Sequence, residues 1–391
     1  MKRTTLYCGA LSACAVIALA VLFGCDDSAK KITIVTPKFL YAASCGSVPG
    51  NSRGRHQHAL RRALKLDGSI TGSISAFSVD ATTGALTALA GNPAITGLDC
   101  PEFMAVDPTQ KFLYVPDEAS DLIHSYSIGA SGTLTEVGTA VAQCAFQVAV
   151  DPSGKFLIAP DFCGTSIDVY SIASDGSLTA VSGSPFPETS GNEPEGVAID
   201  PTGKFAYVVD FFDGNGTVSA FSLSAAGALT EISGSPFQTG TAPFIIAMTP
   251  DGKFIYTNEE SQNQIDGFSV NSTTGALMAL SAPETSVGSC SISADATGTV
   301  LFSTDCAGGV YSSVIGSDGT LTAATGSPVT SGSEPWPITG DPSGKFVYAG
   351  DDTTTTQIFS YSYTSAGVLT PITGNPFAPA GTFTEGIVIT H

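Results

Sequence analysis

Most of the chain is built from short apolar runs separated by turn residues on a regular beat. One stretch shows the unit. Gly196-Val197-Ala198-Ile199 runs into Asp200-Pro201-Thr202-Gly203, where Asp and Pro favour a tight turn and Gly tolerates positive φ. Lys204 to Val209 is a second run that mixes large and small apolar residues. Thr217-Val218-Ser219-Ala220-Phe221-Ser222-Leu223 then alternates with a period of two, the pattern of a strand with one buried face. A Gly turn leads to a short fourth strand around Leu229-Thr230, and the unit closes on Gly234-Ser235-Pro236-Phe237, as an earlier one closes on Gly183 to Phe186.

The turn motif counts the copies. Asp107-Pro108-Thr109-Gln110-Lys111-Phe112 returns as Asp151 to Phe156, Asp200 to Phe205, Thr249 to Phe254, degenerately as Asp295 to Val300, and as Asp341 to Phe346. Pro37-Lys38-Phe39 makes the seventh copy, and the steps are 44 to 49 residues apart from a first step of 73. Four strands per period in seven copies predict an all-β fold, a seven-bladed β-propeller of four-stranded antiparallel blades. The first copy lacks a first strand, while Glu385-Gly386-Ile387-Val388-Ile389-Thr390 reads as a first strand with nothing after it. The C-terminal strand is therefore expected to join the N-terminal blade and remove the open edges, with Ile32 to Val35 as the alternative partner. The propeller is expected to span residues 32–391.

The N-terminus reads differently. Met1-Lys2-Arg3 precedes an apolar stretch from Leu6 to Gly24 that ends Leu22-Phe23-Gly24-Cys25. This resembles a bacterial lipoprotein signal, which implies a signal peptide at 1–24, lipidation at Cys25, and a tether at 25–31. The protein would then sit in the bacterial cell envelope, periplasmic or surface-exposed, touching the membrane only through its lipid. An uncleaved anchor is the alternative, since about 20 apolar residues can span a bilayer.

Composition narrows the function classes. With 42% hydrophobic residues the chain is not a disordered one, and a net charge of −20 excludes nucleic acid as partner. Beyond residue 72 there is no Arg, and the Lys residues are Lys111, Lys155, Lys204, Lys253 and Lys345, all in the turn motif. No phosphate loop, HExxH motif or Ser-His-Asp set is present.

The repeats are similar to the lactonase-family β-propellers, the group of 6-phosphogluconolactonase and carboxymuconate cyclase. That resemblance implies a catalytic His and Arg with a Glu around the central opening, at the starts of the inner strands. Here those starts read Pro101-Glu102-Phe103, Ala145-Phe146-Gln147, Glu195-Gly196, Pro243-Phe244, Ser289-Cys290-Ser291, Pro335-Trp336-Pro337 and Glu385-Gly386. Only Glu is retained, so Glu102, Glu195 and Glu385 are the catalytic candidates. The leading expectation is a monomeric binding or interaction scaffold with an acidic loop face. The alternative is a lactonase-type hydrolase, possible on sugar lactones with metal assistance.

Propeller geometry sorts the remaining candidates. The second strands end in Asp117, Asp161, Asp210, Glu259, Asp305 and Asp351, all on the face opposite the Asp-Pro-x-Gly turns. Clustered carboxylates there suit Ca²⁺ or a basic group on a partner, or they bond amides of their own loops. Phe146, Phe244 and Trp336 at the inner mouth suit a cationic or carbohydrate-like ligand, or they pack the blades together. Six Cys follow the signal and map to the same face. Their even count in an exported protein predicts the disulfides Cys144–Cys163, Cys290–Cys306 and Cys45–Cys100. A basic insertion at about 46–72 carries Arg53, Arg55, Arg61 and Arg62; it reads either as a lid over the acidic face or as a plain loop. His56 and His58 within it form a weak metal pair.

Overall fold

The structure is a computed structural model and describes residues 35–46, 71–189, 193–211, 214–259, 263–281, 284–285, 287–332, 334–353, 357–379 and 383–391. The expectations for the signal, Cys25, the tether and the basic insertion with its Arg and His residues fall outside the described residues. Those from Ile32 onward belong to one compact unit.

Among the described residues the strands form seven antiparallel sheets, as the repeat count requires. Taken from the inner strand outward, blade 4 is Glu193–Ile199, Phe205–Phe211, Asn215–Leu223 and Leu229–Glu231. Blade 1 is assembled from both chain ends. Its inner strand is Thr384–Ile389, which pairs with Phe39–Ser44, followed by Gly72–Val79 and Leu86–Ala88. The ring therefore closes through the C-terminal strand, and that strand takes the place beside Phe39–Ser44 that Ile32 to Val35 could have filled. The closure is reinforced at its end, where the Phe39 amide donates to Thr390 Oγ1 at 3.1 Å.

Five blades carry a short fifth strand that the sequence pattern did not predict, for example Phe237–Thr241 paired to the third strand of blade 4. In four of these five blades it follows a Gly-Ser-Pro or Gly-Asn-Pro turn, and blade 7 has the same turn without the extra strand. Ser235 Oγ accepts from the Ala220 amide at 2.9 Å, and Ser184, Ser327, Asn92 and Asn375 do the same for Val169, Ser312, Ala76 and Ser360. Each satisfies an amide in the third strand just where the fourth strand has ended.

The core lies between blades. One cluster joins Leu40 and Phe77 of blade 1 to Phe346, Tyr348 and Ile358 of blade 7, and another joins Phe39 and Tyr41 to Leu113 and Val115 of blade 2. Each such buried side chain contributes about 1.5–3 kcal/mol. A directional contact repeats at these seams. The Phe after the motif Lys packs under a positive-φ Gly in the next blade's turn, and the Tyr two residues on donates its hydroxyl to that same Gly carbonyl. The bonds are Tyr41 to Gly132, Tyr207 to Gly275, Tyr256 to Gly319 and Tyr348 to Gly84, at 2.7–3.0 Å. Thus the Lys-Phe-x-Tyr segment reads as a strand in its own blade and as a latch onto its neighbour.

Candidate functional site: the loop face and the mouth of the ring

All three expected disulfides form: Cys45–Cys100, Cys144–Cys163 and Cys290–Cys306. They fasten the loop face, where second strands end and inner strands begin. Glu385, Glu102 and Glu118 bring carboxylate oxygens within 4.8 Å of the Cys45–Cys100 sulfurs. Both sulfurs are consumed by the disulfide, so no thiolate is left there to ligate a metal.

The second-strand acids are at the predicted positions, but they do not form an open charged surface. Asp117, Asp161, Asp210, Glu259 and Asp351 are buried. Asp117 accepts from the Asp99 and Cys100 amides at 2.9 and 2.6 Å. Asp161 accepts from Cys163 at 3.1 Å, Asp305 from Ala307 and Gly309 at 2.8 Å, and Asp351 from Glu334 at 2.9 Å. A loop leaves the sheet with amides that have no strand partner, and a carboxylate at the strand end satisfies them. Glu259 accepts from the Thr257 hydroxyl at 3.0 Å.

These environments move the titrations. Burial raises the Asp161 pKa despite its amide bonds, and the nearby Asp121 charge adds to the rise. Burial opposes ionisation of Asp117 too, but His124 and the two amides outweigh it and leave its pKa below the ordinary value. His124 sits between Asp117, 3.6 Å away, and Glu136, 3.0 Å away. Burial works against its charge, yet the two carboxylates prevail and its pKa is raised. It lies on the third strand of blade 2, away from the inner-strand starts.

At the mouth, the sequence-predicted aromatics come together. Phe244 and Trp336 stack with ring centres 5.3 Å apart and planes 8° from parallel. Phe103, which sequence reasoning passed over, joins this pair to Phe146: it lies 6.4 Å from Trp336 and 5.1 Å from Phe146. Four side chains from blades 2, 3, 5 and 7 thus form one cluster. The indole Nε1 of Trp336 is buried and has no hydrogen-bond partner among the described residues. Glu102, Glu195 and Glu385 lie at the neighbouring inner-strand starts, all buried.

The Gly after two of these Glu residues has a steric reason. A Cβ at Gly386 would stand 2.4 Å from the Glu102 carbonyl oxygen, and one at Gly196 2.6 Å from that of Phe244. Only Gly lets the inner strands approach so closely. Gln147 ties the same region by accepting from the Val197 amide at 3.2 Å. Phe103 and Gln147 stand beside named mouth residues in the sequence, so the inner-strand register could have found them.

Comparison with known proteins adds to this picture. The family described as "Lactonase, 7-bladed beta-propeller" matches residues 66–305, more than half of the chain. No curated protein matches. Among solved structures, a Bacteroides fragilis protein described as a candidate 6-phosphogluconolactonase is 19% identical, with a TM-score of 0.72, 93% of this chain covered and 100% of that one. The periplasmic gluconolactonase of Pseudomonas aeruginosa is 17% identical, with a TM-score of 0.66 and coverage of 90% and 99%. A Lactobacillus plantarum protein is 19% identical, with a TM-score of 0.70 and coverage of 91% and 100%. At these identities the likeness is one of fold.

Proposed function

The chain belongs to the seven-bladed lactonase β-propeller family, and from that premise we propose that it is an extracytoplasmic binding scaffold whose mouth takes a neutral or cationic, hydroxyl-rich small molecule. The observation that carries this reading is the buried, partnerless N–H of Trp336 within the aromatic cluster. A buried donor without an acceptor costs about 1–3 kcal/mol, and a ligand oxygen would remove that cost. Flat apolar rings beside carboxyl groups suit the face of a sugar ring with its hydroxyls, or an amino sugar.

The charge map argues against a phosphorylated ligand. No Arg occurs beyond residue 62, and the five Lys beyond residue 72 belong to turns on the opposite face. A dianion at this mouth would meet Glu102, Glu195 and Glu385 with no cation from the repeats. Placement outside the cytoplasm, lipid-anchored through Cys25, rests on the signal-like N-terminus and the three disulfides. The periplasmic home of the Pseudomonas aeruginosa neighbour is consistent with it.

Trp336 is the single Trp in the chain, so indole emission excited beyond the Tyr absorption band reports on this site alone. Neutral aldonolactones, saccharides and amino sugars are expected to shift its emission, and 6-phosphogluconate is not. Trp336→Phe should weaken binding about tenfold by calorimetry, the value of roughly one hydrogen bond. A silent emission spectrum across the panel, or tighter binding of the phosphorylated compound, would overturn the reading.

The second reading is hydrolysis of a sugar lactone, favoured by the family and by the carboxyl groups at the inner-strand starts. In that reading one of Glu102, Glu195 and Glu385 would activate water, and Ca²⁺ held by carboxylates of the same face would supply Lewis-acid assistance. It requires acid release from a lactone in a pH-stat, dependent on Ca²⁺ and lost in Glu102→Gln, Glu195→Gln or Glu385→Gln.

A further inference from the structure

At the seam between blades 3 and 4, two carboxyl groups from different segments meet inside the protein. Asp210 ends the second strand of blade 4 and is 0% exposed; Glu188, in the segment leaving blade 3, is 7% exposed. Ser219 Oγ stands 2.5 Å from Glu188 Oε1 and 2.7 Å from Asp210 Oδ2, and Thr217 Oγ1 donates to that same Asp210 oxygen at 2.8 Å. A serine hydroxyl has one proton and cannot give it to both carboxylates. The remaining oxygens, Glu188 Oε2 and Asp210 Oδ1, are buried without a hydrogen-bond partner among the described residues.

Nothing in the repeats neutralises this pair. The Lys nearest in sequence to Asp210 is Lys204, about 20 Å away at the far end of the same strand. The position of Glu188 is also a departure from the repeat. Counting from the Gly-Ser-Pro motif, it corresponds to Thr239 after Gly234 and Ser331 after Gly326, hydroxyl residues where this seam has an acid. Asp210 is likewise unlike the other second-strand aspartates, because its hydrogen bonds come from the Thr217 and Ser219 hydroxyls instead of loop amides.

We infer that Glu188, Asp210, Ser219 and Thr217 form a site for a hard divalent cation of the calcium class, seated across the seam of blades 3 and 4. The donors are all oxygens, which selects hard cations over zinc or copper. Two carboxylates balance a charge of +2. If both bind through two oxygens, they use the partnerless Oε2 and Oδ1 and, with the two hydroxyls, reach the lower end of the calcium coordination range. Magnesium, which holds its waters and demands a tighter octahedron, fits a buried site of this kind less well. The site shares no residue with the aromatic mouth, so the proposal does not rest on a sugar-like ligand binding there.

The test uses the full chain, stripped with EDTA and titrated with CaCl₂ by calorimetry and thermal melting. Wild type should bind a calcium equivalent that both Asp210→Asn and Glu188→Gln lack, and its melting temperature should rise by about 5 °C at a hundredfold excess over Kd. Both substitutions are near-isosteric and remove charge, so the variants should fold. Calcium stoichiometry equal in wild type and both variants would overturn the proposal, as would a wild-type melting temperature indifferent to calcium. An Asp210→Asn protein more stable than wild type at every calcium concentration would also overturn it, showing that the pair is built to hold a proton.

Discussion

The ring closes where blade 7 meets blade 1, and one glycine at that seam allows the closure to be measured. Gly84 has φ +74°, and a Cβ built on it would lie 2.6 Å from both Phe346 Cδ1 and Ile372 Cδ1 of blade 7. Its carbonyl also accepts the Tyr348 hydroxyl at 2.8 Å. Gly91 has nearly the same backbone, φ +81°, but a Cβ there would meet nothing within 4 Å. Substituting Ala at either site forces an L residue into the left-handed region, which costs about 1–2 kcal/mol. Only Gly84→Ala also pushes a methyl into packed side chains of the neighbouring blade, which adds roughly 1–3 kcal/mol. At roughly 2 °C per kcal/mol for a large domain, Gly91→Ala should lower the melting temperature by about 2–4 °C and Gly84→Ala by about 4–10 °C. Differential scanning calorimetry of the two variants side by side isolates the seam contact from the backbone cost. Equal shifts would refute the argument that the seam depends on this close fit, and a larger shift at Gly91 would reverse it.

Three further outcomes follow from the same structure. Tyr348→Phe removes the donor to the Gly84 carbonyl and should cost about 1–3 kcal/mol in denaturant titrations; Tyr114→Phe, whose hydroxyl is buried without a partner, should cost nothing or stabilise. His124 has a raised pKa, so its stabilisation is full below its ordinary value near 6.5 and is lost as pH rises through the folded value. Wild type should therefore lose stability relative to His124→Gln as pH climbs from 6 upward, and parallel pH profiles would rule the ion pairs out as a source of stability. The Cys45–Cys100 disulfide spans 55 residues against 19 and 16 for the other two, so removing it by double Ala substitution should cost about 4 kcal/mol against about 3 for either of the others.

The blade count, the ring closure and the three disulfides were legible because each is fixed by spacing along the chain. The turn motif recurs at the period of a blade, and Cys positions inherit the same register. The inter-blade latch was not legible, although Lys-Phe-x-Tyr stands in the sequence four times with its bond formed. Alternation along a strand shows which side chains share a face but not which neighbouring blade they touch. Phe346 and Gly84 meet across more than 260 residues. The fifth strands were missed for a related reason: Gly-Ser-Pro-Phe reads as a turn, and its Ser is seen to satisfy a third-strand amide only when the chain is folded back. At the mouth, Phe146, Phe244 and Trp336 share one register in the sequence, but the pattern could not say that Phe103 links Phe146 to the stacked pair or that the indole N–H finds no acceptor among the described residues.

The second-strand acids show where reading charge from sequence falls short. An acid recurring at one register fits either a charged face or carboxylates that bond backbone amides, and the sequence pattern alone does not separate the two. Loop departure supplies the partner. The amides of Cys100, Cys163, Ala307 and Glu334 have left the sheet, and Asp117, Asp161, Asp305 and Asp351 take them up. Most of the recurring acid is therefore structural, and the functional signal lies in the exceptions to the repeat. Asp210 is one, because Glu188 stands where the copies at Thr239 and Ser331 have a hydroxyl residue, so that a second carboxyl lies beside it. Trp336 is another, because it places an N–H donor among side chains that offer it no acceptor. Positions that follow the repeat hold the ring together; positions that break it, at a cost the ring does not recover, are where a ligand has something to contribute.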